Sequence, residues 1–355
     1  MLDYIIVGSG LAGIAFSEMA LKNNKTIFVF NNQSQNSSKI AGGLYNPVIL
    51  KRFSEVWKAN EQLDLLYPFY KNLESKLSVT LDYKLALLRK FYSVEEQNNW
   101  FTASDKPNLS KFLSTDLITK KFDSIPSPFN FGEVLFSGYV DTALLVASYK
   151  TFLMQQNAYL QETFDYSELK INSEYIQYKD IKAKHIVFAE GFGMLSNPFF
   201  NQLQLDGTKG ELLLIKAPNL NLEVIMKSSV FVLPIGNDLY KVGATYNWED
   251  KTNIPTEAAK KELTDNLKEL INCDFEIIEH YAGVRPTVKD RRPLVGTHPI
   301  HNNIHVLNGL GTRGVMLAPA MALDLFNLIE NKIPLDKNID ISRIKNFVSS
   351  SYHNE

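Results

Sequence analysis

The stretch Asp3-Tyr4-Ile5-Ile6-Val7-Gly8-Ser9-Gly10-Leu11-Ala12-Gly13 decides how this chain is read. Asp3 to Val7 is a short apolar run that reads as a buried strand. Leu11 to Lys22 reads as the helix after it, and Thr26 to Phe30 as a second strand of β-branched and aromatic residues. A β-α-β unit of about 30 residues implies a parallel sheet with a right-handed crossover. Gly8, Gly10 and Gly13 have the spacing of a dinucleotide cradle. The first permits a tight turn, the second lets a pyrophosphate approach the backbone, and the third lets helix and strand pack closely. Ser9, Leu11 and Ala12 complete the cradle, and the helix N-terminus faces the phosphates. The competing reading is a tight β-α turn without a ligand; the place of the motif, directly after a strand and opening a helix, favours the cradle.

The second strand should end in an acidic residue, about 20 positions on, that grips the ribose hydroxyls. Asn31 stands there instead. An amide accepts a hydrogen bond without charge, which lowers its contribution from roughly 1.5–3 to roughly 0.5–1.5 kcal/mol.

Tyr4 to Leu21 is almost wholly apolar and invites a membrane reading. No Lys or Arg precedes it, three glycines interrupt it and Glu18 sits inside it, so strand, turn and helix is the better reading and no span is expected. The 355 residues suit one large or two interleaved domains, and 45% hydrophobic with 21% charged residues is globular usage. Lys+Arg number 37 against 39 Asp+Glu, a net charge of -2. That excludes a strong global field for nucleic acid or anionic membrane, though not a local basic groove. The single cysteine, Cys273, excludes an internal disulfide and a thiolate cluster, which fits a reducing, cytoplasmic setting. It follows the end of a helix, where nothing activates it as a nucleophile.

Phe53 to Leu77 carries apolar residues at helical spacing, with Pro68 expected to kink or split the helix. Val79 to Leu135 has no clear period, Val140 to Asn157 reads as helix, and His185 to Ala189 as a short buried strand. Glu211 to Ile215, Ser229 to Leu233 and Leu239 to Thr245 alternate like antiparallel strands, and Ile277 to Tyr281 is strand-like. Thr256 to Asn272 is an amphipathic helix with Thr256 as N-cap; Ile304 to Leu307 is a last strand, followed by a glycine turn and a helix from Ala318 with Pro319 in its first turn. The chain is therefore α/β (α+β overall): a Rossmann-like parallel sheet with helices, plus an inserted, mostly antiparallel domain. Residues 1–52, 136–210 and 276–355 form the first, and 53–135 with 211–275 the second.

Other motifs carry chemistry. Ala41-Gly42-Gly43-Leu44-Tyr45-Asn46-Pro47, with Lys51 and Arg52 after it, presents bare backbone N–H groups to a phosphate or planar ring; an ordinary flexible loop is the alternative. Ala189-Glu190-Gly191 ends a buried strand. Ala282-Gly283-Val284-Arg285-Pro286-Thr287, Asp290-Arg291-Arg292-Pro293-Leu294-Val295-Gly296 and Gly309-Leu310-Gly311-Thr312-Arg313-Gly314 gather four arginines in a lysine-rich chain. Arginine offers a planar fork for a carboxylate that lysine cannot copy. Arg285 reads as a carboxylate clamp, or alternatively as the partner of a core carboxylate such as Asp290. Tyr246 and Trp248 are substrate-pocket or core aromatics. His298, His301 and His305 have metal-like spacing, but Pro299 and Asn302-Asn303 break any helix that would align them, so no metal site is expected.

These segments, in this order and at this spacing, resemble the D-amino-acid-oxidase and glycine-oxidase superfamily of FAD enzymes, from Asp3 to Lys332. GLYNP and GLGTRG look closest to the oxidase domain of the bifunctional enzyme that modifies the tRNA wobble uridine. The resemblance implies FAD as cofactor, with its pyrophosphate on Gly8 to Gly13 and Asn31 in the place of the usual Glu. It implies adenine against the backbone of Phe164, with Gly191 near the nucleotide, and Gly42, Gly43 and Leu44 along the flavin. Gly309, Gly311, Thr312, Arg313, Gly314 and Val315 would pass over its pyrimidine edge. Arg285 matches the arginine that pairs with the substrate carboxylate. Phe231 falls where glycine oxidases place a tyrosine, and Thr312 where they place an arginine beside Arg313.

The expected function is oxidation of the C–N bond of a small amino acid or secondary amine by hydride transfer to flavin N5. An imine results and, with O₂ rather than another electron acceptor, hydrogen peroxide. Arg285 and Arg313 are the expected catalytic residues, and Phe231, Tyr246 and Arg285 the substrate pocket. The alternatives are the same chemistry on a tRNA wobble-uridine side chain, which the net charge disfavours, and a non-catalytic flavin-binding protein.

Overall fold

The computed structural model describes residues 1–344 and Phe347. The N-terminal apolar run is the strand Leu2–Val7, buried from Tyr4 onward, inside an eight-stranded sheet. It pairs in parallel with Ile27–Phe30 and with Ile181–Phe188, and the latter pairs in parallel with Ile304–Asn308. The register sets Val7 beside Phe30 and Phe188, and Phe188 beside Val306. Four carboxyl ends therefore reach one level. There the turn at Gly8, then Asn31, Glu190 and Gly309 leave the sheet, which is where open α/β sheets bind ligands. Tyr159–Leu160 adds an edge beside Val29 and Phe30 and leads the chain to Phe164.

Helix Leu11–Lys22 packs against helix Gly314–Asn331, which also carries helix Ala59–Leu77. Glu18, the acid inside the apolar segment, is buried but paired: Lys76 Nζ lies 2.6 Å away and the Tyr149 hydroxyl donates at 2.8 Å.

A second sheet has seven strands in the order Glu276–Arg285, Thr208–Lys216, Leu239–Gly243, Phe231–Pro234, Ile225–Lys227, Leu87–Lys90, Phe131–Val134. Strand alternation gives it two faces. Leu213, Ile215, Val232 and Val242 pack on one face against Leu263 and Leu267 of helix Glu257–Leu270. Thr256 caps that helix as its sequence suggests, its Oγ1 accepting from Ala259 N–H at 3.3 Å. The other face turns toward the carboxyl ends of the first sheet: a Cβ on Gly283 would meet Ile40, and one on Gly42 would meet Phe231. Glu276–Arg285 pairs along its length with Thr208–Lys216, so these ten residues, placed by sequence with the first layer, are an edge of the second sheet.

Three element readings change. The helical stripe expected from Phe53 begins only at Ala59, after the two-residue strand Ser54–Glu55, and runs through Pro68 without dividing. Pro68 and Asp64 are both exposed, so the carbonyl that loses its helical partner is on the solvent side. The last helix starts at Gly314 rather than Ala318, and Pro319 sits in its second turn. Val94–Ser104, in the stretch without a clear period, is a helix whose start is written as Ser93-Val94-Glu95-Glu96: Ser93 Oγ accepts from Glu96 N–H at 3.1 Å. Among the described residues no helix is long and apolar enough to cross a membrane.

Candidate functional site

The glycine turn fits as tightly as its sequence requires. Gly8 has φ of +104°, and a Cβ there would lie 2.3 Å from the Ala189 carbonyl; a Cβ on Gly13 would lie 1.9 Å from the Gly8 carbonyl. Gly13 thus serves the packing of helix on strand and does not face the cleft, whereas Gly8, Ser9, Gly10, Leu11 and Ala12 line it. The helix they open has no side-chain cap at Gly10. Ser9 is buried and its Oγ has no hydrogen-bond partner among the described residues. The result is a helix end with a free hydroxyl, the donor set an anionic diester needs.

The cleft measures about 2010 Å³, beyond the roughly 300–1,000 Å³ of a pocket for one drug-sized ligand. Its lining extends from the turn to Asn31, Phe164 and Gly191. Asn31 donates to the Tyr159 hydroxyl at 3.4 Å, and Phe164 is buried, stacked on Tyr178 with ring centroids 4.0 Å apart. Glu190, passed over in sequence, also lines this end. It accepts from the Tyr166 hydroxyl at 2.5 Å and from Asn197 Nδ2 at 2.7 Å. Burial pushes its carboxyl up to about 7, against the pull of those two hydrogen bonds.

At the middle of the cleft lies the double-glycine loop. Gly43 has φ of +71° and a Cβ there would lie 1.9 Å from the Val140 carbonyl, so this stretch is held in one shape and is not a flexible loop. Gly42, Gly43, Leu44 and Phe231 all line the wall. Opposite stands the second glycine turn: Gly309, Gly311, Thr312, Arg313, Gly314 and Val315 also line the cleft. Arg313 is the N-cap of helix Gly314–Asn331 and gives it no side-chain cap. A second positive helix end therefore opens into the same cleft.

Arg285 ends its strand beside Thr208, and both line the cleft. Its Nη1 donates to the Thr245 carbonyl at 3.2 Å and its guanidinium lies 4.6 Å from the ring centroid of Tyr246. No carboxylate pairs with it among the described residues, and burial lowers its pKa, partly offset by Tyr246. The alternative partner, Asp290, instead accepts from Arg343 Nε at 2.9 Å. Lys209, on the opposite face, shows how this fold treats a structural buried cation: Asp250 lies 2.5 Å and Glu211 3.6 Å from its Nζ. Arg313 is likewise without an ion pair among the described residues. It donates to the Asn46 carbonyl at 3.1 Å, and burial, with help from Arg291, pushes it down to about 10. Thr208, unnoticed in sequence, is buried with its Oγ1 unpartnered, on the strand position directly across from Arg285. Only the pairing register reveals it.

Tyr246 and Trp248 line the cleft and are 61% and 48% exposed, which removes the core-aromatic reading. His298 and His301 stack with centroids 5.0 Å apart, while His305 Nε2 lies 3.1 Å from His185 Nδ1. Among the described residues no three or more His, Cys, Asp or Glu gather as a metal site.

The sequence profile of the FAD dependent oxidoreductase family matches residues 3–328. The chain belongs to this family. Among its relatives is the glycine oxidase of Bacillus subtilis, 22% identical over 93% of each chain. The tRNA 5-methylaminomethyl-2-thiouridine biosynthesis bifunctional protein MnmC of Idiomarina loihiensis is 25% identical over 40% of this chain and 24% of that longer protein. The crystal structure of glycine oxidase from Geobacillus kaustophilus superposes with a TM-score of 0.73 at 18% identity, covering 95% and 96% of the two chains. The residues of this FAD dependent oxidoreductase fit its cofactor. The glycine cradle leaves no room for side chains, the Ser9 hydroxyl is unpartnered, and two helix ends, the first bonded at Leu11 N–H to Ser38 Oγ, face a cleft whose volume holds a dinucleotide and a further small molecule.

Proposed function

We propose that this FAD enzyme oxidises the C–N bond of a small amino acid or secondary amine bearing a carboxylate. One observation carries the reading: Arg285 is a half-buried guanidinium without a carboxylate partner among the described residues, facing the cleft. A charge partly withdrawn from water and left without an ion pair is held at a cost that an anionic ligand in the cleft offsets, so its complement belongs to the ligand.

In this reading the domains divide the work. The first sheet, with residues 1–52, 136–207 and 286–344, holds FAD, and the second sheet presents the substrate. Gly8 to Ala12 and Ser9 Oγ take the pyrophosphate, Asn31 the ribose, Phe164 the adenine side, and Gly42 to Leu44 with Gly309 to Val315 flank the ring. FAD, when bound, accepts the two electrons of the C–N oxidation. Arg285, with Thr208 Oγ1 beside it, grips the carboxylate and fixes which C–H bond faces the ring. Phe231 supplies an apolar wall, and Tyr246 stacks on Arg285 and holds its plane. Arg313 and the start of helix Gly314–Asn331 set a positive field where negative charge builds up. The amine gives up its proton to water, and the imine product hydrolyses once released.

A second reading, the same oxidation on a carboxymethylaminomethyl group of tRNA, is favoured by the cations Lys51, Arg52, Lys289, Arg291 and Arg292, which line the same cleft as Trp57. Arg292 lies 5.2 Å from the centroid of that ring. The test is anaerobic exposure of the yellow enzyme to a panel of amino acids and N-alkyl amino acids, against tRNA carrying the modified uridine. Bleaching by the panel supports the first reading, bleaching by tRNA alone the second, and bleaching by neither overturns both.

A further inference from the structure

The second sheet places one cross-strand row on the cleft face. Arg285 pairs with Thr208; further along that strand Leu212 pairs with Gly243, Gly243 with Phe231, Phe231 with Lys227, and Lys227 with Arg89. Directly paired residues point the same way, and residues two apart on a strand share a face. Phe231, Lys227 and Arg89 accordingly all line the cleft with Arg285. One end of the row is the carboxylate clamp, and the other end is also cationic.

The two cations at that far end differ. Arg89 is neutralised: its Nη2 lies 2.5 Å from Glu96, and its Nη1 donates to the Ser228 carbonyl at 3.0 Å. Lys227 donates only to the Ser229 carbonyl, at 3.1 Å, and has no carboxylate partner among the described residues. Burial first, then the Arg89 charge, pushes its ammonium down to about 8, so it remains mostly protonated at neutral pH. It repeats at the far end what marks Arg285 at the near end.

We infer that Lys227 is a second anion subsite, and that the substrate is a secondary amine whose N-substituent ends in an anionic group, carboxylate or phosphate, that reaches Lys227 past Phe231. This rests on the reading of Arg285 as the α-carboxylate clamp. The two strands lie four steps apart in the sheet, ~19 Å at ~4.8 Å per step, and the register sets Lys227 four residues further along than Arg285, ~13 Å at ~3.3 Å per residue, so their backbones are ~23 Å apart. Two side chains reaching toward each other leave on the order of 10 Å between their charged heads, the span of about nine extended single bonds. A dianion with one or two methylenes between its nitrogen and its second anionic group is therefore too small to bridge both sites, and a longer one fits.

The test is a series of N-(ω-carboxyalkyl)glycines, from one methylene to about eight, with N-(ω-phosphonoalkyl)glycines and neutral N-alkylglycines of equal length. Anaerobic flavin bleaching gives rates. Perturbation of the flavin spectrum by the thioether analogues, which cannot be oxidised, gives binding. The inference predicts a length optimum among the longer dianions, with KM roughly ten- to a hundredfold below that of the neutral analogue. That ratio should collapse in Lys227→Met and return in Lys227→Arg, with FAD content kept. The better of the carboxylate and phosphonate arms names the source of the anion. Equal KM for charged and neutral tails, or a preference that survives Lys227→Met, overturns the inference while leaving the proposed function standing. Bleaching by no member of the series overturns the inference, and bleaching by no member of the amino-acid panel either overturns the proposed function with it.

Discussion

The guanidinium of Arg285 lies against the backbone of Gly210, two residues along from Thr208: a Cβ on Gly210 would fall 1.9 Å from Nη2 and 2.0 Å from Cζ. The glycine leaves the space that the arginine fills. Gly210→Ala should force the guanidinium aside by an ångström or more and lower turnover about a hundredfold. FAD absorbance per protein should stay unchanged, because Gly210 lies in the second sheet, away from the glycine cradle. Full activity in that variant would mean that the position of Arg285 does not matter.

Arg285→Lys keeps a charge and loses the fork. Affinity for a carboxylate-bearing substrate should fall roughly ten- to a hundredfold, with a further fall in turnover as the C–H bond loses its alignment. Because no carboxylate depends on Arg285 among the described residues, melting temperature should hold or rise. A drop in melting temperature with activity falling in parallel would assign it a structural role.

Asn31 directly follows the second strand, where an acid is usual. Asn31→Glu should tighten FAD binding by up to about tenfold, the increment of a charged over a neutral hydrogen bond. Fluorescence of released against bound FAD, titrated into apoprotein, reads it. A large loss of affinity would place the ribose elsewhere.

Glu190 gives a pH prediction. Its folded carboxyl is raised to about 7 from an ordinary value of 4.5, so its contribution to stability is fully present below 4.5 and is lost as pH rises through 7. Glu190→Gln removes that loss. Its melting temperature should exceed that of the native protein at pH 8 and match it at pH 5. A constant difference across that range would show that the carboxyl does not titrate there.

The elements at the two ends of the chain were legible because each is periodic in itself and the glycine turns have one structural use. Leu11–Lys22 and Thr256 as a cap match the sequence reading. Ser93 to Glu96 carried its own signal and was passed over amid short, irregular neighbours. The start of the last helix was misplaced because Pro319 suits a first turn, whereas the packing of Gly314 against Leu11 fixes the start earlier. Of the site, Arg285 and the glycine cradle could be named from residue type and spacing. Thr208, Glu190 and Lys227 could not, since their meaning comes from which strand lies beside them and from what fails to pair with them.

The most direct test of the carboxylate clamp is the anaerobic bleaching rate of bound flavin with matched pairs, each amino acid beside the amine that lacks only its carboxylate. The amino acids should bleach the native enzyme and their decarboxylated partners should do so roughly ten- to a hundredfold less well, with the gap closing in Arg285→Lys. Equal bleaching by both members of every pair, or purification of a protein that holds no FAD, would contradict it.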